Sequence, residues 1–311
     1  MSLLVDLVLV ALILMAAVWT ILVRDRRDAV IAFIVLGLLL SLVWMRLYAV
    51  DVALTEAAVG GGATGLVLLR ACARLLPVET EGRLPGPGTQ IAAGLLSALA
   101  AAGLAAVVLH PPVPYPSLAA LAAENIHTVG LGNPVTAVLL AYRSLDTLLE
   151  KVVLVLALIG VWALTPDAFW GGAPGSLRAR HASGALDLLA RVLPPFGVLV
   201  SIYLVWNGAD HPGGTFQGGT VLAAMWLLVM MAGLRDPPGI SLKLLRRLVV
   251  FGPAVFIAVG FAGIWMSGWF LSYPPDYAKP IIVAVEAALV LSIAVILGLL
   301  VAGPAAEPPK R

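Results

Sequence analysis

The sequence predicts an all-α, polytopic membrane protein with about nine transmembrane helices, the N-terminus outside and the C-terminus cytoplasmic. Three observations predict it. The 311 residues are 61% hydrophobic and only 12% charged, half the charged share of an ordinary soluble domain. The apolar residues come in blocks of about 20, the length a helix needs to cross a bilayer. And the basic residues fall on one side of those blocks, as cytoplasmic loops require.

The blocks lie near 3–23, 29–48, 51–69, 90–109, 145–165, 188–206, 216–234, 248–271 and 280–302. The first has Asp6 near its start and Arg24, Arg26 and Arg27 behind it. A secretory signal has the opposite polarity, so this block reads as a retained anchor. The third block is the least apolar, with Glu56 and the glycines at 60–62 and 65 inside it. Charge supports keeping it. With nine spans, fifteen of the nineteen basic residues share one side: Arg24–Arg27, Arg70–Arg83, Arg178–Arg191, Arg235–Arg247 and the Lys310–Arg311 tail. Without it, Arg24–Arg27 and Arg70–Arg83 would face opposite sides of the membrane.

Two Pro/Gly-rich hinges, PVETEGRLPGPG at 77–88 and TPDAFWGGAPGSLRARHASG at 165–184, divide the spans into groups of three, two and four. The expected units are a three-helix module over 1–76, a linker over 77–88, a two-helix module over 89–166, a linker over 167–184 and a four-helix module over 185–311. A net charge of +2 gives no footprint for nucleic acid. Cys72 is the only cysteine, so an intrachain disulfide or a CxxC metal motif is excluded. His110, His127, His181 and His211 are too scattered to predict a metal site. No cofactor motif is present, and enzymatic activity is not expected.

Ionisable side chains inside the spans are the candidates for function, because each is costly in hydrocarbon unless paired or used. Glu56, in VDVALTEAAVGGG, falls ~7.5 Å into the third span. It is either an interface glutamate beside closely packed glycines or a proton or cation relay. In AYRSLDTLLEKVVLVLAL, the spacing predicts Arg143, Asp146 and Glu150 on one helical face, with Lys151 beside it. That group is either a charge cluster at a helix mouth or part of an ion path. Glu286 falls ~10 Å into the last span with no basic residue nearby in the same helix. Such a carboxyl is protonated, or faces water or another subunit.

Between spans six and seven, NGADHPGGTFQGGTV presents Asp210, His211, Pro212, Gly213, Gly214, Gly218 and Gly219. Pro212 and the glycine pair suit a tight turn, and Gly214–Gly218 has the GxxxG spacing of close helix packing. A phosphate loop is excluded, since no Lys-Ser/Thr follows. An ion vestibule at Asp210 and His211 is the alternative.

Three stretches together resemble a known family. NGADHPGGTFQGGTVLAA resembles the PGGGF-x-GG signature of the MrpB (MnhB) subunit of Mrp-type multisubunit cation/proton antiporters. VDVALTEAAVGGG resembles the PDVALTEA stretch of the MbhD-like module, and GNPVTAVLLAYRSLDTLLEKVVL resembles the MbhE-like module. In order, they would make residues 1–76 MbhD-like, 89–166 MbhE-like and 185–311 MrpB/MnhB-like. The sequence departs from the family pattern at Val50 (usually Pro), Leu149 (usually Gly) and Thr215 (usually the third Gly).

The resemblance implies a membrane subunit of a sodium (cation)/proton antiporter, with Glu56, Arg143, Asp146 and Glu150 on the route of sodium or protons. The partners implied are antiporter-like A/D subunits and small C-, E-, F- and G-like subunits, in a bacterial or archaeal cell membrane. It also implies a chain without the long antiporter-like domain, working only beside such partners. A membrane-bound hydrogenase-like complex carrying a related module, with this chain as scaffold or ion path, is the alternative.

Overall fold

Helices account for almost every long apolar block, and the bundle is built around the last of them. The structure, a computed structural model, describes residues 3–74, 86–111, 117–177 and 184–308. Most of the first linker, together with Arg83, Arg178, Arg180, His181, Lys310 and Arg311, lies outside the described residues. Helix α1 spans Leu3–Leu22 and α2 Arg26–Arg46. The turn between them is fixed by Asp25, whose carboxylate accepts the backbone N–H of Arg27 at 2.8 Å and of Asp28 at 3.1 Å. That satisfies two of the donors a helix start leaves open.

The third expected span is not one regular helix. It opens as α3 (Val50–Thr55), widens into a π-helical stretch over Glu56–Thr64, and resumes as α4 (Gly65–Arg74). The glycines explain the tolerance for widening, and they also let α2 close in. A Cβ on Gly37 would lie 3.0 Å from the Gly61 backbone nitrogen.

Helix α5 (Pro87–Leu109) starts with proline at its first position. A short α6 (Ala119–Asn125) and α7 (Pro134–Ala137) follow, then a π-helical turn over Val138–Tyr142 and α8 (Ser144–Ala163). The last four are α9 (Gly184–Asn207), α10 (Thr215–Met231), α11 (Lys243–Ser267) and α12 (Ala278–Ala302). Among the described residues there is no strand beyond one isolated bridge, Pro174 with Ala305.

Seven of the described helical segments are long and apolar enough to cross a membrane. Of the other two expected spans, α8 carries Asp146, Glu150 and Lys151 in 20 residues, and α10 has 17. α10 stops short of its apolar block because Gly233, at φ 74°, turns the chain just beyond it. α11 starts before its block, since Lys243, Arg246 and Arg247 form a polar first turn of the same helix.

α12 is the axis. Phe256 of α11, Leu140 before α8, and Ile282, Val285 and Leu289 of α12 share one buried cluster. A second joins Leu158 and Trp162 of α8 to Ile296 and Leu299. In hydrocarbon, small residues and polar contacts hold helices together more than apolar burial does. Thus the Ser292 hydroxyl accepts from the Gly252 N–H and donates to the Leu248 carbonyl, both at 2.7 Å. It bridges two groups an undistorted α11 would pair, beside Pro253, where proline already weakens the ladder. α5 is the exception: none of its residues is buried within this chain.

Candidate functional site: a polar cavity where α3, α8, α10 and α12 meet

The site begins with the loop between α9 and α10. After Asn207 the chain folds back on α9, and the Gly214 N–H donates to the Leu204 carbonyl at 2.9 Å. Only glycine serves here. Gly214 adopts φ 123°, and a Cβ on Gly213 would lie 2.5 Å from the Leu204 oxygen. Gly218 and Gly219 then press α10 onto its neighbours. A Cβ on Gly218 would meet Val205 at 2.9 Å, and one on Gly219 would meet Ile293 at 2.6 Å. Turn and close packing, both expected from Pro212 and the glycines, are what this stretch provides.

Two side chains from elsewhere hold the loop. Asp51, in the first turn of α3 and 9% exposed, accepts the Gly213 N–H at 3.0 Å. Asn133, which caps α7 by accepting the Val135 N–H, turns its amide nitrogen toward the loop. It donates to the His211 carbonyl at 2.9 Å and the Gly208 carbonyl at 3.2 Å, and stands 3.4 Å from both Asp51 oxygens. Asp210 points the other way. Both its oxygens lie 2.7 Å from the Lys279 ammonium, which holds its carboxyl below the usual range. It ties the loop to the start of α12 and is not among the cavity-lining residues, and neither is His211.

Beneath the loop lies a cavity of about 360 Å³ lined by Asp51, Glu150, Lys151, Thr215, Gln217 and Glu286, with apolar residues between them. Glu286 is 2% exposed. One of its oxygens accepts the Thr215 hydroxyl at 3.0 Å, and the other, Oε2, has no hydrogen-bond partner. Lys151 is 5% exposed. Its ammonium donates to Glu150 at 2.8 Å and sits 4.5 Å above the Phe216 ring. Gln217 donates from its amide nitrogen to the Thr55 hydroxyl at 3.1 Å. Three carboxyl groups thus share one pocket with a single ammonium. Buried charge persists only when paired or neutralised, so this pocket favours the presence of protons or cations.

The expected site residues divide. Glu150, Lys151 and Glu286 meet at the cavity. Glu56, Arg143 and Asp146 do not line it. Glu56 is half-buried in the π-helical stretch, its carboxylate lying over Gly60, where a Cβ would come 2.2 Å from Oε1. Arg143 and Asp146 form an exposed ion pair at 2.5 Å. The expectation that Arg143 shares a helical face with Asp146 and Glu150 is corrected: the π turn over Val138–Tyr142 ends at Arg143, whose backbone leaves the helix at φ −128°. Sequence reasoning misses Asp51, Asn133, Thr215 and Gln217 as site residues. The available signal is Asp51 and Thr55 at i and i+4, a polar pair on one face.

Comparison with known proteins adds the family. Residues 185–306 match the domain related to the MnhB subunit of Na+/H+ antiporter. Residues 11–77 match the MbhD family of MBH components. The chain is a membrane subunit of the Mrp/Mbh antiporter-related type. It is a multi-pass protein of a prokaryotic cell membrane.

An uncharacterized protein of Methanocaldococcus jannaschii is 30% identical over 154 residues, covering 45% of this subunit and 59% of that protein. The fold superposes on the Mrp complex of a Dietzia species with TM-score 0.76 and 24% identity, over 98% of this subunit and 35% of that chain. It also superposes on the membrane-bound sulfane sulfur reductase, an archaeal respiratory membrane complex, with TM-score 0.54 and 25% identity, over 68% of this subunit and 96% of that chain. The subunit therefore spans little more than half of one relative's length and about a third of the Mrp chain.

Proposed function

We propose that this chain is a membrane subunit of an Mrp-type sodium (cation)/proton antiporter, contributing intramembrane carboxylates to the ion and proton pathway. The observation that carries the proposal is the buried cavity holding Glu286, Lys151, Glu150 and Asp51. A carboxyl at such a place is neutral when protonated and a cation site when ionised. One group can therefore hold a proton and a cation in alternation. On this reading the helices cross the membrane nine times with the N-terminus outside, and the chain has no catalytic activity of its own. Residues 89–166 act as an MbhE-like module between the MbhD-like and MnhB-like ones. Antiporter-like and small Mrp-type subunits surround it.

Replacing Glu286 with Gln in the assembled complex tests the proposal. Sodium/proton exchange in vesicles should fall at least tenfold while assembly on native gels is retained. Normal assembly with an unaltered exchange rate refutes it. A second reading, an ion-path or scaffold subunit of a respiratory complex, is supported by the likeness to the sulfane sulfur reductase complex. Copurification separates the two readings: an antiporter-like neighbour without redox subunits supports the first, and redox subunits in the same particle support the second.

A further inference from the structure

The oxygens around Glu286 form more than a single acid. Gln217 donates its amide nitrogen toward the Asp51 backbone carbonyl and the Thr55 hydroxyl. A carbonyl accepts only, so that contact fixes which end of the amide is nitrogen. The Gln217 Oε1 is thereby turned back toward the start of α10. There it meets Glu286 across the bare α-carbon of Gly214: a Cβ at that position would lie 3.4 Å from Glu286 Oε1 and 3.5 Å from Gln217 Oε1. The Thr215 hydroxyl spends its proton on Glu286 and keeps lone pairs free. The other Glu286 oxygen is buried and has no hydrogen-bond partner.

We propose that Glu286, Gln217 and Thr215, with Gly214 leaving the room, form a binding site for a monovalent alkali cation. All the donors are hard oxygens: carboxylate, amide carbonyl and hydroxyl. They suit a hard cation that sheds part of its water. The valence follows from the charges. The site has one carboxylate of its own, and the buried Lys151 ammonium lines the same cavity. A divalent ion would leave excess positive charge in a low-dielectric place, whereas a monovalent ion neutralises Glu286. A proton on Glu286 does the same, so cation and proton exclude one another there. The other charged groups lining the cavity are Glu150 and Lys151 from α8, paired with each other, and Asp51 from α3, held by Gly213.

This inference rests on the cavity being part of the ion path, and it names the site within that path. It is tested in vesicles bearing the assembled complex, by measuring exchange against sodium chloride, and separately potassium chloride, at fixed pH. Gln217→Met and Thr215→Val each remove one donor at nearly constant volume. Each should raise the half-saturating concentration of the preferred cation at least tenfold. An unchanged concentration dependence in both, with Glu286→Gln still inactive, overturns the site but leaves the path. Exchange indifferent to Glu286→Gln overturns the path itself. Should the two donor variants not assemble, the wild-type complex decides. Sodium or potassium chloride, compared with choline chloride, should shift a carboxylate infrared band, and Glu286→Gln should lose that shift. No cation-dependent band in the wild type overturns the proposal.

Discussion

Asp51 fastens the loop that roofs the cavity, and its removal should loosen that loop by a measurable amount. The carboxylate is 9% exposed and accepts the Gly213 N–H at 3.0 Å. A hydrogen bond to a charged acceptor contributes roughly 1.5–3 kcal/mol, and a buried donor left alone costs a similar amount. Asp51→Leu keeps an apolar side chain of similar reach but offers no acceptor, so the loop should lose about 2 kcal/mol. At about 1.4 kcal/mol per decade, that is roughly a 30-fold rise in the open population. Asp51→Asn keeps a neutral acceptor and should lose about 1 kcal/mol, a rise of roughly fivefold. Hydrogen exchange of a peptide covering 207–216, measured in the detergent-solubilised complex, reads the opening directly. The expected order is wild type slowest, then Asn, then Leu. Equal protection in all three refutes the claim that Asp51 holds the loop, since Asn133 would then suffice through its bonds to Gly208 and His211.

Two further outcomes follow from the packing and charges. Gly252→Ala should destabilise the bundle by about 1–3 kcal/mol, read as a lower Tm. Its Cβ would come 2.7 Å from the Leu289 α-carbon and 2.8 Å from the Ser292 hydroxyl, and backbone cannot move aside as a side-chain tip can. The Asp210–Lys279 pair is partly exposed, so Lys279→Met should cost only about 0.2–1 kcal/mol of loop anchoring at neutral pH. Asp210 is depressed by its partner, so the pair's contribution is complete above the ordinary aspartate value of about 4. It fades as pH falls through the lower folded value. Proteolysis of the 207–214 loop should therefore be slow and flat from pH 7 to 5 in the wild type, and Lys279→Met should remove the acid-dependent rise below that.

The bundle is legible in the sequence because apolar block length and one-sided basic loops are properties of sequence alone. The helix ends are less so. A scan for apolar runs cannot see that Lys243, Arg246 and Arg247 open α11, or that Gly233 stops α10 early. The candidate site is half legible. Glu286 lies where distance along its span places it, and Glu150 and Lys151 reach the same cavity. What fails is the regular periodicity that would join Arg143 to Glu150. Two π-helical stretches, at Glu56–Thr64 and Val138–Tyr142, reset the rotation of the chain, and nothing in residue spacing announces them. Asp51 escapes a sequence reading because a carboxylate at a helix start is ordinarily a solvated first-turn residue. Its burial is created by the loop around Gly213, which folds over it from a distant part of the chain.

The central claim is that Glu286 faces a hydrated, cation-accessible cavity. A map of the parent complex with resolved waters, collected in sodium and in choline, tests it most directly. The account predicts density for water or a cation within about 3 Å of Glu286 Oε2, the range of an oxygen contact, continuing toward Lys151 and changing between the two salts. A void around Oε2 in both salts, or a partner side chain filling the cavity and donating to it, would contradict the account.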